Sequence, residues 1–220
     1  MRWITSLLPL LALLGGCIDI PKGRNARQTV GQSTSVMASG PAARQCLSRL
    51  GATRASFTAL PDRYFGMGCS TLNSVRLSKL RSDYHALSVA NLGPVTCPAA
   101  NDLAGWARFG VDRAARQILG SPLARIETMG SYNCRNVAGT SRRSGHATAN
   151  AIDVSGFVLA DGRRVSVLGD WNNGSSAERR FLRIVHKSAC KRFGMVLGPD
   201  YNAAHRDHFH LEKKRGSTCR

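Results

Sequence analysis

The sequence predicts an α+β domain: a small antiparallel sheet flanked by helices. Two stretches repeat apolar residues with helical period, CPAANDLAGWARFGVDRAARQILG and SSAERRFLRIVHKSACKRFG. Strand-like segments lie between and after them, LARIETMGSY, AIDVSGFVLA, RRVSVL and HFHLEK. Asp161-Gly162 joins two of these as a tight hairpin, which makes those neighbours antiparallel. Helices standing apart from an antiparallel sheet define the class.

The elements follow in chain order. Residues 1 to 16 begin with Met1, Arg2 and Trp3 and continue into the apolar run LLPLLALLGG. That run is too short to cross a bilayer and reads as a secretory signal. Leu14-Gly15-Gly16-Cys17 resembles a bacterial lipobox, which implies a lipid on Cys17; an ordinary signal peptide that contains a cysteine is the alternative. Ile18 stands where an aspartate typically retains such lipoproteins at the inner membrane, so the resemblance leans to a periplasmic protein anchored at the outer membrane. Residues 17 to 44 are rich in Gly, Ser, Thr, Gln and Arg without apolar period, and read as a flexible tether. Such a coil spans roughly 25–30 Å root-mean-square. The domain is expected over 45–220.

In the first helix Leu103, Trp106, Ala107, Gly110, Ala114 and Ile118 share a face, Pro98 suits the first turn and Gly120 the end. Trp106 and Phe109 are assigned to the core rather than to a sugar platform. Trp171, in GDWNNGSS, falls in a loop. The second helix opens with a capping box, Ser175 and Glu178, buries Phe181, Ile184 and Val185, and stops at Gly194.

Beyond Cys17 the chain has Cys46, Cys69, Cys97, Cys134, Cys190 and Cys219. An even number in an exported chain reads as disulfides, with Cys46–Cys69 expected as the local pair and the remaining pairing open. No CxxC occurs, so a thiolate-built zinc site is not expected. Lys and Arg number 31 against 13 Asp and Glu, a formal net charge of +18. Basicity favours anionic partners, or reflects an arginine-rich composition alone. The export signal argues against nucleic acid and points to cell-wall polymer, lipid headgroups or carboxylate-bearing peptides. A monomer is expected.

Three of the 6 histidines crowd into HRDHFHLE, residues 205 to 212. Another, His146, precedes Asp153 by seven residues in SGHATANAID. Zinc takes about four His, Cys or carboxylate ligands, and a catalytic site leaves one position open. His146, Asp153 and one histidine of the terminal cluster make such a set. If HFHLE is a strand, His208 and His210 share a face. At a rise of about 3.3 Å per residue they lie roughly 6.5–7 Å apart, which suits one as ligand and its neighbour beside the reacting water. Asp153 interrupts an apolar run, where a carboxylate is costly unless paired or metal-bound. His85 and His186 read as structural.

Ser144-x-His146 with Asp153, and His208-x-His210, resemble the lysostaphin, D-Ala-D-Ala metallopeptidase and sonic hedgehog superfamily. HRDHFH is similar to the ending of its penicillin-insensitive murein endopeptidases. More closely, residues from about Cys46 to Cys219, with SYNCRN, AIDVSGFVLADGRRVSVLGDW and LGPDYNAAHRDHFHLE, resemble the bacterial extensin-like C-terminal family. With 8 prolines and no extensin repeat, a structural wall glycoprotein is a poor reading. The resemblance implies a hedgehog/DD-peptidase-like zinc fold, with Zn2+ on His146, Asp153 and His210. His208 would orient or deprotonate the attacking water, or stabilise the tetrahedral intermediate. His205 would be accessory, Arg135 would hold an oxyanion or a substrate carboxylate, and Ser144 and Glu212 would support the ligands. The Glu-x-x-His base of the carboxypeptidase branch is replaced here by His208, which leaves the base open. The implied activity is zinc-dependent hydrolysis of an amide in peptidoglycan stem peptide or crosslink. A zinc-stabilised wall- or protein-binding module is the alternative, and a salt-sensitive polyanion binder the third.

Overall fold

The computed structural model describes residues 40–220. The signal segment 1–16, Cys17 and the tether up to residue 39 lie outside the described residues.

Helix α1, Pro41–Ala52, starts inside the expected tether, with proline in its first turn and Cys46 and Leu50 buried. Strands follow: β1 (Ser56–Ala59), β2 (Arg63–Gly66), β3 (Cys69–Thr71), β4 (Ser74–Arg81), β5 (Ala86–Ala90) and β6 (Pro94–Thr96). Helix α2, Cys97–Trp106, has Pro98 in its first turn and continues through wide π-type turns, Ala107–Asp112 and Ala115–Leu119. It ends on Gly120, whose φ of 70° is the left-handed conformation glycine adopts without penalty.

Strands β7 (Leu123–Gly130) and β8 (Ala151–Leu159) pair antiparallel, and β9 (Arg164–Ser166) folds back on β8 across the Asp161-Gly162 turn. Short helix α3, Val167–Asn173, carries Trp171, which is buried and not in a loop; its indole N–H reaches Asp200. Helix α4, Ser176–Ala189, opens with both halves of the Ser175–Glu178 capping box. Its buried face is Phe181, Leu182 and Val185, whereas Ile184 is exposed. The helix stops at Ala189, before Gly194. Glycine is needed at 194 because a Cβ there would stand 2.0 Å from the Lys214 carbonyl oxygen. Strands β10 (Met195–Leu197), β11 (Phe209–Glu212) and β12 (Thr218–Cys219) complete the chain.

The sheet is neither small nor wholly antiparallel. It has 10 strands in the path β1-β4-β5-β7-β8-β11-β10-β12, with β6 on β4 and β9 on β8. The β5–β7 and β10–β12 pairs are parallel, so the α+β domain is built on a mixed sheet. Its helical side is a continuous apolar layer. Trp106 and Phe157 pack edge to face at 6.0 Å, Phe157 meets Phe181 at 5.3 Å, and the Trp106 indole N–H donates to the Val185 carbonyl. Phe109 lies outside this core. It is exposed, with the guanidiniums of Arg108, Arg113 and Arg192 over its ring.

The disulfides are Cys46–Cys97, Cys69–Cys134 and Cys190–Cys219, so the expected Cys46–Cys69 bridge does not form. The first binds α1 to the start of α2. The second ties β3 to the loop after β7, and the third closes the C-terminus onto α4.

Candidate metal centre

The site grows out of the pairing of two strands. His210 in β11 stands opposite Asp153 in central strand β8. Alternation does the rest: Phe209 and Leu211 enter the core, while His208, His210 and Glu212 share the other face with Asp153. His146 arrives from outside the sheet on a single 3-10 turn, Gly145–Thr148, begun by Ser144, whose hydroxyl accepts from the His146 N–H.

The three side chains converge. His146 Nε2 lies 3.1 Å from Asp153 Oδ2, and His210 Nδ1 lies 3.0 Å from Asp153 Oδ1. His146 Nε2 and His210 Nδ1 are 3.2 Å apart. Donors on a tetrahedral zinc with bonds of about 2.0–2.1 Å stand about 3.3 Å from each other. The spacing fits such an ion, as does the donor chemistry of two imidazoles and a carboxylate. The His146 and His210 side chains are almost buried beside the Asp153 carboxylate, so positive charge there, a metal ion or a proton on an imidazole, offsets the cost of burying it. Among the described residues one other group brings donors together, His186 with Cys190 and Cys219, but the two sulfurs are spent in a disulfide.

The family model for the extensin-like protein C-terminus matches residues 44–220. The chain belongs to that family. No curated protein and no solved structure matches it.

In this extensin-like domain each of the two candidate ligand histidines is held from behind. The Ser131 carbonyl lies 3.0 Å from His146 Nδ1. A carbonyl only accepts, so Nδ1 carries the proton and Nε2 faces the centre with its lone pair. Glu212 does the same for His210, with Oε2 3.3 Å from Nε2. Gly145 allows this, because a Cβ there would lie 2.6 Å from Glu212 Cδ. Asn150 ties the parts together: its N–H donates to the Gly145 carbonyl, its side chain bonds the Lys213 carbonyl, and its carbonyl accepts from the Lys213 N–H.

His208 is buried beside the centre without joining it. Its Nδ1 is 2.8 Å from Asp207 Oδ1, which leaves Nε2 turned inward, 3.5 Å from Asp153 Oδ1. His205 ends a second 3-10 turn, Ala203–His205, not the strand; its Nδ1 meets Asn202 Oδ1 at 2.7 Å and its ring stands 5.3 Å from that of His208. Arg135 lies on the wall of a cleft of about 350 Å3 that opens onto His205, His208 and His210. Its guanidinium makes one hydrogen bond, to the Asn136 carbonyl at 3.5 Å. His85 and His186 lie elsewhere: His85 bridges Ser82 and the Leu123 carbonyl, and His186 packs against Trp171 and Phe209.

Burial alone would lower the His210 pKa, but the Asp153 and Glu212 carboxylates outweigh it and raise it to about 9. Burial works against the Asp153 carboxylate too, yet His146 and His210 hold its pKa well below the usual range. Burial, then the positive fields of His208 and His210, press His205 down to about 4.

Sequence reasoning missed Ser131, Asn150, Asp207 and Asn202. Asp207, a carboxylate beside a clustered histidine, carried a readable signal. Ser131 acts through its backbone and carried none.

Proposed function

We propose that this chain is a zinc-dependent hydrolase of amide bonds in peptidoglycan stem peptide or crosslink, with a hedgehog/DD-peptidase-like site. The observation that carries the reading is the division of labour on one sheet face: three donors converge, and a fourth side chain, His208, stands oriented beside them unused. A purely structural zinc site closes its shell and has no need of an oriented neighbour.

His146, Asp153 and His210 would hold the zinc, which, when bound, supplies Lewis-acid polarisation of a carbonyl and acidification of water. His208, fixed by Asp207, presents Nε2 to accept the proton of the attacking water and return it to the leaving amine. His205 borders this position. Arg135, on the open cleft wall, meets a developing oxyanion or a substrate carboxylate. We further propose export and attachment through a lipid on Cys17, which would place the domain beside the wall.

The test uses the full chain carrying Cys17→Ser, loaded with zinc and incubated with purified peptidoglycan, with products read by mass. Release of D-alanine or cut crosslinks that stops with chelator and with His208→Ala is the expected result. No product from a chain holding one zinc would overturn hydrolysis in favour of a zinc-stabilised binding module. A chain that takes up no metal would end both.

A further inference from the structure

The β2–β3 hairpin is a braced finger with an apolar tip, joined to the lining of the cleft through Arg143. Its turn, Gly66-Met67-Gly68, has φ values of 83°, 49° and 80°. Met67 has a side chain, so the left-handed conformation costs energy that the surroundings must offset. They do so from the cleft wall: Arg143 Nε donates to the Met67 carbonyl at 2.6 Å and its side chain lies over Gly68. Cys69, the first residue of β3, is bound to Cys134.

What this braced turn presents to solvent is apolar. Met67 is 84% exposed, Tyr64 55% and Phe65 39%. Phe65 also stacks on Tyr132, ring centroids 5.4 Å apart and tilted by 38°. Exposed apolar side chains on a braced support mark a binding surface rather than misplaced core. Its contacts tie it to the candidate site. Tyr132 follows Ser131, which orients His146, and precedes Asn133, whose N–H donates to the His146 carbonyl. Arg143 belongs to both the finger and the cleft lining.

We propose that Phe65 and Tyr132 form a subsite for a sugar ring of a glycan strand that bears an acidic peptide. The glycan is anchored on the finger while its peptide enters the cleft; the peptide's fate there rests on the hydrolase reading. A pyranose has an apolar C–H face and a polar rim, and a shallow pair of aromatic rings takes that face. The guanidiniums of Arg142 and Arg143 on the cleft wall complement carboxylates on the peptide arm. Aromatics beside cations also suit a membrane surface. The brace from finger to cleft favours a polymer long enough to touch both.

The experiment again uses the full Cys17→Ser chain, zinc-loaded. Its probes are a peptide-free oligosaccharide of N-acetylated amino sugars, intact peptidoglycan, phosphatidylglycerol vesicles and a short sugar-free stem peptide. Phe65→Ala is expected to weaken binding to oligosaccharide and peptidoglycan about tenfold. Phe65→Tyr should restore it, while zinc content and turnover of the sugar-free peptide stay unchanged. Should the parent hydrolyse nothing yet bind oligosaccharide through Phe65, the subsite stands and the hydrolase reading falls. The subsite is overturned if the parent does not bind the oligosaccharide, if Phe65→Ala binds it equally well, or if zinc content falls with binding. Binding to vesicles in place of oligosaccharide, lost in Phe65→Ala, would overturn it in favour of a membrane contact.

Discussion

At Gly145 a missing side chain decides how a candidate metal ligand, His210, is supported. Alanine there would drive its Cβ to 2.8 Å from Glu212 Oε2 and displace the carboxylate from His210. Losing such a partner behind a ligating histidine typically costs 10- to 100-fold in metal affinity. Gly145→Ala should therefore weaken zinc binding by about that factor, read by competition with a chromophoric chelator. Glu212→Ala should match it, and unchanged affinity in both would remove Glu212 from the site. Asp207 tests a different link, since it touches His208 alone among the site residues. Asp207→Leu keeps the bulk and removes the acceptor at 2.8 Å. It should lower kcat by roughly 10- to 100-fold, a share of the usual general acid–base contribution, and leave zinc affinity intact. Equal losses in affinity and kcat would mean that Asp207 merely supports the fold.

Elements, rather than residues, explain what could be read in advance. The alternation in HFHLE and the apolar run broken by Asp153 were legible because strand period 2 dictates which side chains share a face. The capping box at Ser175 and the Asp161-Gly162 turn were legible because their chemistry is local. Strands β1 to β6 left little signal: all but β4 have only 3 to 5 residues, and β4, with 8, does not alternate strictly between buried and exposed positions. That the six cysteines form disulfides was legible from their number, but their pairing was not, since 51, 65 and 29 residues separate the partners and only the fold brings these together. Ile184 and Leu182 exchanged places because helix period alone does not say where the buried arc is centred. The bridge from Cys69 to Cys134 also predicts behaviour, because it clamps the finger and the Arg135 loop to one another. Replacing both cysteines by alanine should cost about 2–5 kcal/mol of stability, seen as a lower urea midpoint. If the bridge acts on the cleft, peptidoglycan binding should weaken while zinc affinity changes little. A parallel loss of zinc would show that the loop also carries the metal centre.

For the whole molecule a metal held at this candidate centre would be a crosslink, because its three residues come from the central strand β8, from strand β11 and from the turn that begins at Ser144. Without metal, the same contacts hold a proton. Raising the His210 pKa from its ordinary 6.5 to about 9 means that its ion pairs stabilise the metal-free fold. That contribution is fully present below pH 6.5 and is lost as pH rises through 9. Asp153 has the opposite sign: its depressed pKa stabilises above its ordinary 3.8 and fails only in acid below that. Zinc bound at His210 would displace its proton, so between pH 6.5 and 9 the affinity of the proposed site should climb up to about tenfold per unit. Both trends push the same way. The gap in melting temperature between zinc-loaded and chelated protein should be narrow near pH 6 and widen steadily towards pH 9, at constant free zinc. Calorimetry in buffers of different ionisation enthalpy should find about one proton released per zinc at pH 7. A gap that does not change with pH, together with no proton release, would mean that His210 is not a ligand and that zinc, if bound, sits elsewhere.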